Sequence, residues 1–372
     1  MKKKHEIIAC FVVFLASIGV YTATLCPTVY SGDSGDLITS SYTLGVPHPT
    51  GYPLYVFIGK AFSYLPVGPV AYRYNLMSAF FAAATASIVC AIVLSNTKNN
   101  LAGVGAGLLT AYAKTIWDQA TIAEVYTLHA FLLAATLFLI LKWRREKHKK
   151  ILYIAAATYG LAMTNHISTL IYLPAYAYLV LNDGWKKKRK INWELVTASF
   201  LAPLTLYLYI PIKASQKPVY NWGNPDTPIK FIDHITGAVH RRTQMLTLPK
   251  EEILERFFKI IWSMSTQVHA CILLVIIGLY RHGKTQMEYA KFTGLFVCLD
   301  VVYSLFINDV SLDITSFGIP SIVVLMVWSG YGLSDALDYI KARYKRYEYS
   351  ILAIASVCLL VVAVNWWECD KS

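Results

Sequence analysis

The sequence predicts an all-α membrane protein with many spans. Of its 372 residues, 56% are hydrophobic and 15% are charged, and the mean hydropathy of +0.46 exceeds that of an ordinary soluble domain. A spanning helix needs roughly 20 mostly apolar residues, and about eleven such stretches can be laid along the chain. They leave little sequence over, so we expect a single transmembrane helical bundle across residues 1–372.

The expected spans are bounded by short polar segments. They cover residues 6–25, 70–95, 101–117, 126–141, 151–164, 167–182, 191–211, 260–280, 292–307, 320–338 and 351–367. Two longer loops, about 26–69 and 212–259, fall on the same side of the membrane. Within them, residues 52–65 and 251–259 are candidate amphipathic helices on the outer membrane surface.

The basic residues predict the orientation. Residues 142–150, 186–190, 281–291 and 341–346 are rich in Lys and Arg, and they share a side with the N-terminal lysines. Cytoplasmic loops collect such residues, so this side is predicted to face the cytoplasm. The same rule explains the net charge of +12 without nucleic acid, whose binders carry basic charge on a soluble face. The N-terminal apolar run alternatively fits a cleaved signal peptide.

Several activities lose support from absent patterns. The seven cysteines are scattered, mostly within apolar runs, and form no CxxC pair, so we interpret them as packing residues. No P-loop, GxGxxG, HExxH or GxSxG motif occurs in a suitable context. This argues against nucleotide-driven transport, a metalloprotease and a serine hydrolase.

Two aspartates in the first outer loop are the leading catalytic candidates. Asp33 and Asp36 follow the first span within Ser31–Asp36, where two glycines allow tight turns and close approach to a ligand. A partly dehydrated carboxylate can have a raised pKa and act as a general base. The structural alternative is a turn, or a helix N-terminus capped by Asp or Ser.

The next segment predicts a cavity floor. His48 lies between Pro47 and Pro49, and Tyr52 follows shortly after. Irregular backbone beside a bilayer is tolerated where protein or a water-filled cavity satisfies its polar groups. A structural proline turn with an incidental histidine is the alternative.

Further polar groups fall at the outer membrane edge. Glu124 has Trp117 and Thr121 at helical spacing before it, which predicts one shared helix face. Such carboxylates are costly and usually functional, although Glu124 could instead pair with Arg73 or Lys114 to hold the bundle. Asn165 and His166 pose the same choice between a site and a structural role. Glu124, Asn165 and His166 are therefore candidate substrate-binding residues.

The long outer loop carries candidates for binding phosphate. Arg241 and Arg242 follow one another, and a guanidinium holds two phosphate oxygens at once. The pair suits anionic lipid headgroups equally well. Trp222, within Asn221–Pro225, and Arg73 at the start of the second span complete the set of candidate substrate-binding residues.

Together these segments resemble a known membrane family. Ser31–Ile38, Leu44–Tyr55, Ile122–His129, Thr164–His166 and Asn221–Pro225 are similar, in the same order, to a family long described as a domain of unknown function. Its animal member is an endoplasmic-reticulum protein O-mannosyltransferase acting on plexin-type receptor domains. Relatives often have Glu at the position of Asp36, and many have a soluble C-terminal region.

The resemblance implies a GT-C-like glycosyltransferase. It implies a polyprenyl- or dolichyl-phosphate sugar as donor, an acceptor on a protein, glycan or lipid, and acidic catalytic residues that match Asp33 and Asp36. One aspartate would deprotonate an acceptor hydroxyl, while Arg73, Arg241 and Arg242 would stabilise the leaving phosphate. This scheme requires no metal or other cofactor. The enzyme would lie in the plasma membrane of a prokaryote or the endoplasmic reticulum of a eukaryote.

Two other functions remain open at this stage. A transporter or flippase for lipid-linked or anionic solutes should place charges near the bilayer midplane and contain repeated broken helices. Asp300 is the one candidate for such a charge, and the sequence contains no evident internal repeat. A noncatalytic scaffold would leave the polar outer segments without a purpose.

Overall fold

The computed structural model describes residues 2–186, 190–238, 250–268, 271–306, 314–344 and 347–372. Over these residues the regular structure is helical, apart from one isolated backbone bridge between Val46 and Asn221. The predicted all-α class is confirmed.

The helices follow one another through short connections. They are α1 Lys2–Ala23, α2 Ser34–Thr43, α3 Pro53–Phe62, α4 Val70–Thr97, α5 Asn100–Ala111, α6 Lys114–Ala120, α7 Tyr126–Glu146, α8 Lys149–Asn165, a 3-10 turn Ile167–Tyr172, α9 Leu173–Lys186, α10 Trp193–Leu204, a 3-10 turn Thr205–Leu208, α11 Tyr209–Ser215, α12 Pro228–Ile235, α13 Lys250–Val268, α14 Ile272–His282, α15 Met287–Phe306, α16 Ile314–Phe317, α17 Ile319–Tyr344 and α18 Tyr347–Cys369.

Six helical segments of the described chain are long and apolar enough to cross a bilayer. They are Lys4–Ala23, Val70–Thr97, Tyr126–Glu146, Trp193–Ser215, Ile319–Tyr344 and Ile351–Cys369, and each overlaps an expected span. The expected count of about eleven is not confirmed, and several other apolar helices, such as Asn100–Ala111 and Ile272–His282, are too short to cross a bilayer by themselves. The chain is nonetheless an integral, multi-pass membrane protein.

One interruption changes the sequence-based interpretation of Glu124. The expected span 101–117 divides into α5 and α6, with the break at Tyr112 and Ala113. Helix α6 then ends at Ala120, so Glu124 lies in the irregular link before α7. The prediction that Trp117, Thr121 and Glu124 share one helix face is therefore wrong. Hydropathy detects apolar content but does not detect such breaks.

The core of the bundle is formed around α1, α4, α5, α7 and α17, which pack on one another. Trp117 and Trp328 are among its largest fully buried side chains. Helices α14 and α17 come into backbone contact: a Cβ on Gly332 would lie 2.0 Å from the carbonyl oxygen of Leu274. Small residues permit this close packing where hydrophobic driving force between helices is weak.

Helix α3 falls within residues 52–65, whose position on the outer membrane surface stays a prediction, and one face of this helix is buried in the bundle. Tyr55 and Val56 are completely buried, and α3 packs on α2, α4 and α8. By contrast, α13 keeps Leu254 and Phe258 exposed while Arg256 is buried, with its Nε donating to the carbonyl of Ser304 at 3.1 Å. This distribution is that of an amphipathic helix.

The antiparallel pair α7 and α8 defines two ends of the bundle. The 21 residues of α7 span about 30 Å, the thickness of a bilayer core. The α7–α8 connection lies at one end, while Tyr126 and Asn165 lie together at the other, where Asn165 Nδ2 donates to the carbonyl of Val125 at 3.1 Å. The candidate site forms at this second end.

Candidate active site

The two aspartates of the first outer loop occupy different positions on α2. Gly32 has φ of +78°, which turns the chain into the helix. Asp33 is the N-cap residue, yet its carboxylate makes no capping hydrogen bond, and its side chain is 58% exposed. Asp36 lies one turn later with a side chain only 15% exposed. The hydroxyl of Ser34 donates to the carbonyl of Ala123 at 2.9 Å and anchors α2 to the link before α7.

His48 bridges the two carboxylates. Its Nδ1 lies 2.6 Å from Oδ2 of Asp36, and its Nε2 lies 3.4 Å from Oδ2 of Asp33. Its backbone N–H also donates to Asp36, at 3.3 Å. Asp36 therefore fixes the orientation of the imidazole, and the imidazole faces Asp33.

A third element closes the site from the long loop. The N–H of Val46 donates to the carbonyl of Tyr220 at 2.9 Å, and the N–H of Trp222 donates to the carbonyl of Val46 at 3.0 Å. This pairing brings the Tyr220 hydroxyl to Asp36, to which it donates a short hydrogen bond. Trp222 itself is 38% exposed, so it offers an aromatic surface at the edge of the site.

The hydrogen bonds in this cluster shift its protonation equilibria. Burial alone would raise the pKa of Asp36, but hydrogen bonds from His48 and Tyr220 and the charge on His48 hold it below its ordinary value. Burial would lower the pKa of His48, but the hydrogen bond to Asp36 and both carboxylate charges raise it. Burial, followed by the hydrogen bond to Asp36, raises the pKa of Tyr220 to about 12. The cluster thus favours an ionised Asp36 beside a protonated His48.

Tyr52 and Glu124 line the inner side of the cluster. The ring of Tyr52 meets that of His48 edge-on, with centroids 4.9 Å apart, and its hydroxyl donates to the carbonyl of Pro49 at 3.2 Å. Burial raises the pKa of Tyr52, and the charges of Asp33 and Glu124 raise it further. Glu124 is buried, and its backbone N–H donates to the hydroxyl of Ser78 at 3.3 Å.

His166 and Asn165 lie beneath these residues, where α8 ends. Nδ1 of His166 accepts from the hydroxyl of Ser168 at 2.6 Å and from its N–H at 3.3 Å, which places the proton of a neutral ring on Nε2. The His166 ring lies 6.0 Å from that of Tyr52. Burial, together with the charge of His48, lowers the pKa of His166 to about 4, so the ring is neutral at pH 7. Asn165 Oδ1 is buried with no hydrogen-bond partner in the described part of the chain.

Arg73 is not brought into this cluster. Its guanidinium donates to the carbonyls of Ser63 at 2.6 Å, Val67 at 2.9 Å and Gly68 at 3.0 Å, so it holds the α3–α4 connection. The alternative pairing of Glu124 with Lys114 is not seen either, because Lys114 forms an ion pair with Glu368. Arg241 and Arg242 lie outside the described residues.

Two contributors were missed by the sequence reasoning. Tyr220 directly precedes the singled-out Asn221–Pro225 segment, and Ser34 lies between the two glycines of the first loop. Neither residue type marks a site by itself. Only the pairing of Val46 with Tyr220 and Trp222, which joins loops far apart in sequence, identifies Tyr220 as a partner of Asp36.

Solved structures of other proteins show the same fold. ArnT from Cupriavidus metallidurans, in the apo state, superimposes with a TM-score of 0.61 at 14% identity, over 95% of this chain and 64% of that one. The same protein bound to undecaprenyl phosphate gives 0.61 at 12% identity, over 97% and 70%. Arabinosyltransferase EmbB from Mycobacterium smegmatis gives 0.54 at 11% identity, over 88% and 30%. This chain therefore shares the GT-C fold of ArnT and EmbB.

Sequence comparison finds similarity to one family of proteins. Residues 33–189 match the model described as the Protein O-mannosyl-transferase TMEM260 N-terminal domain. Protein O-mannosyl-transferase TMEM260 of Mus musculus is 27% identical over 353 residues, which cover 88% of this chain and 49% of that protein. The tmem260 protein of Dictyostelium discoideum is 28% identical over 264 residues, covering 65% and 32%. The resemblance inferred from the motifs is confirmed, and the chain spans half or less of these relatives' lengths.

Proposed function

We propose that this protein transfers a sugar from a polyprenyl-phosphate carrier to an acceptor hydroxyl at the extracytoplasmic face of the membrane, with Asp33 as the general base. The names of the two relatives favour glycosyl transfer, and mannose as the sugar. The ArnT structure with undecaprenyl phosphate favours a lipid-phosphate carrier. The acceptor is a hydroxyl on a protein, glycan or lipid.

The different surroundings of the two aspartates carry the assignment of the base. Asp36 is engaged by His48 and Tyr220, and its lowered pKa makes it a poor proton acceptor. Asp33 is more than half exposed and makes no capping bond, so its carboxylate is accessible to an acceptor. Asp36 is then a positioning residue that holds His48 against Asp33.

The reaction follows from this arrangement. The acceptor oxygen gives its proton to Asp33 and forms a bond to the anomeric carbon, while the bond from that carbon to the phosphate oxygen breaks. Inversion at the anomeric carbon results, and polyprenyl phosphate leaves as an anion. Protonated His48 supplies positive charge beside Asp33, while Tyr52, Glu124, Asn165, His166 and Trp222 are the proposed sugar-binding groups. The scheme requires no metal.

Membrane geometry supports the choice of donor. A carrier with its tail in the bilayer presents its sugar phosphate at the membrane rim, and the Asp33–His48–Asp36 cluster lies at one end of α7 and α8. The basic residues gather at the opposite end, which the charge rule assigns to the cytoplasm.

The direct test compares Asp33→Asn with the wild type in nanodiscs containing a labelled polyprenyl-phosphate mannose and membrane extract as acceptor source. Loss of a general base should reduce transfer by roughly 10²- to 10⁴-fold. The Asp33 side chain makes no capping hydrogen bond and is 58% exposed, so thermal stability should change little. Asp226→Asn is the matched control, because Asp226 pairs with Lys230 on the surface at 2.9 Å.

Two outcomes would contradict the proposal. Near-normal transfer by Asp33→Asn would remove the base assignment. Movement of the labelled lipid across the bilayer without cleavage of its sugar–phosphate bond would favour a flippase.

A further inference from the structure

A pocket lies at the end of the bundle opposite the candidate active site. It is formed where α7 ends, α8 begins and α10 begins. The length of α7 separates the two ends by about 30 Å, so they lie at opposite faces of the membrane. This pocket plays no part in the proposed transfer reaction.

The lining of the pocket is basic and aromatic. A cavity of about 190 Å³ is lined by three lysines, Lys147, Lys149 and Lys190, and by two aromatic residues, Trp143 and Tyr153. In the part of the chain that the structure describes, no ion pair involves these three lysines. Since a water occupies about 30 Å³ in the liquid, the cavity can admit a group several waters in size.

The backbone adds to the positive character of the pocket. Asn192, which also lines it, is the N-cap of α10, and its side chain accepts from the N–H of Leu195 at 3.0 Å. The N-terminus of a helix carries partial positive charge. Two acidic residues lie nearby in sequence, Glu146 and Glu194, but neither lines the cavity.

The neighbouring surface is apolar and faces outward. Ile154 on α8 is 55% exposed, and Trp193 and Leu195 on α10 are 47% and 48% exposed. In a membrane protein such side chains face the acyl chains. The pocket therefore combines cationic groups for a phosphate with an adjoining surface for hydrocarbon, at the level where headgroups lie.

We propose that this pocket binds the phosphate of an anionic lipid headgroup in the leaflet opposite the active site. Three ammonium groups that have no carboxylate partner among the described residues suit a phosphomonoester with close to two negative charges. The adjoining apolar faces of α8 and α10 favour a lipid over a soluble phosphate, because they hold the acyl chains beside the bound headgroup.

The test measures binding of dioleoyl phosphatidic acid to the purified full chain by native mass spectrometry, with zwitterionic phosphatidylcholine, which has no net charge, as the reference. The triple variant Lys147→Gln, Lys149→Gln, Lys190→Gln should bind phosphatidic acid on the order of 100-fold more weakly, at roughly fivefold per lysine near a membrane surface. A matched triple variant, Lys98→Gln, Lys284→Gln, Lys341→Gln, removes equal charge from exposed lysines that do not line the pocket, and it should bind as the wild type does.

Two results would overturn the proposal. Equal loss of binding in both triple variants would mean that net charge, and not this pocket, determines lipid binding. Displacement of the lipid by inorganic phosphate at equal concentration would refute the lipid as occupant. Unchanged melting temperatures in phosphatidylcholine would establish that both triple variants are folded, because all six lysines are exposed.

Discussion

Replacing Asp36 by Asn isolates the positioning of His48. The carboxylate of Asp36 accepts hydrogen bonds from Nδ1 of His48 at 2.6 Å, from the backbone N–H of His48 at 3.3 Å and from the hydroxyl of Tyr220. Asn keeps the shape of the side chain and one acceptor oxygen, but it removes the charge. The hydrogen bond and the charge that raise the pKa of His48 are then weakened, while the burial that lowers it remains. We therefore expect the pKa of His48 to fall.

The magnitude of the stability change follows from the same contacts. Both side chains are largely buried, 15% exposed for Asp36 and 16% for His48. A hydrogen bond to a charged partner contributes about 1.5–3 kcal/mol to the free energy of unfolding. Because Asn retains some of the hydrogen bonds that Asp36 accepts, we expect the free energy of unfolding to fall by about 2 kcal/mol.

The sign of the pH dependence can be worked out from the two pKa shifts. The raised pKa of His48 stabilises the fold fully below its ordinary value of 6.5, and this contribution is lost as pH rises through the raised value. The lowered pKa of Asp36 stabilises the fold above its ordinary value of 3.8, and this contribution is lost as pH falls through the lowered value. The difference between wild type and Asp36→Asn should therefore be largest between pH 3.8 and 6.5.

The pKa of His48 is measured by NMR titration of ¹³C-labelled histidine, and its resonance is assigned by its absence in His48→Gln. Melting curves at several pH values measure the stability difference. Asp226→Asn, an exposed aspartate in an ion pair with Lys230, is the control that should leave the His48 titration unchanged. An unchanged His48 pKa in Asp36→Asn would refute the reasoning, because it would mean that Asp36 does not hold the imidazole.

Two further variants test the supports of the site. Gly45→Ala would place a Cβ 2.3 Å from the carbonyl oxygen of Tyr220, so we expect about 1–3 kcal/mol of destabilisation and weaker transfer. Gly19→Ala is the control and should melt near the wild type, because its Cβ would meet nothing within 4 Å. Equal melting temperatures of the two variants would contradict the predicted clash with Tyr220. Arg73→Gln should lower the melting temperature, because three carbonyls lose their hydrogen-bond donor and the free energy of unfolding falls by about 1–3 kcal/mol. The KM for the lipid-linked sugar should stay unchanged. A raised KM at an unchanged melting temperature would instead support a phosphate-binding role.

The sequence was sufficient where composition and local chemistry decide the outcome. Long apolar runs predicted the membrane bundle, since a bilayer imposes both length and hydropathy on a spanning helix. The loops with Asp33, Asp36 and His48 stood out because glycine, proline and acidic residues seldom cluster beside a membrane without a reason. All three residues meet in the structure.

The sequence was insufficient where distant segments choose their partners. Arg73 suited phosphate by residue type, yet the α3–α4 connection supplies three carbonyls that take up its donors. Glu124 had helical spacing to Trp117, yet the short helix α6 ends at Ala120, before Glu124 is reached. Such outcomes depend on backbone placed by other parts of the fold, and periodicity carries no information about it.

The difference between Asp33 and Asp36 illustrates the same limit within a single turn of helix. Both are acidic, both follow a glycine, and both lie near the N-terminus of α2, where the helix dipole favours a negative charge. Local rules therefore treat them alike. The distinction comes from Tyr220, 184 residues away, and from His48, 12 residues away, which both contact Asp36. Those partners enclose Asp36, whose side chain is 15% exposed, whereas that of Asp33 is 58% exposed, so the different surroundings of the two aspartates are a property of the tertiary structure.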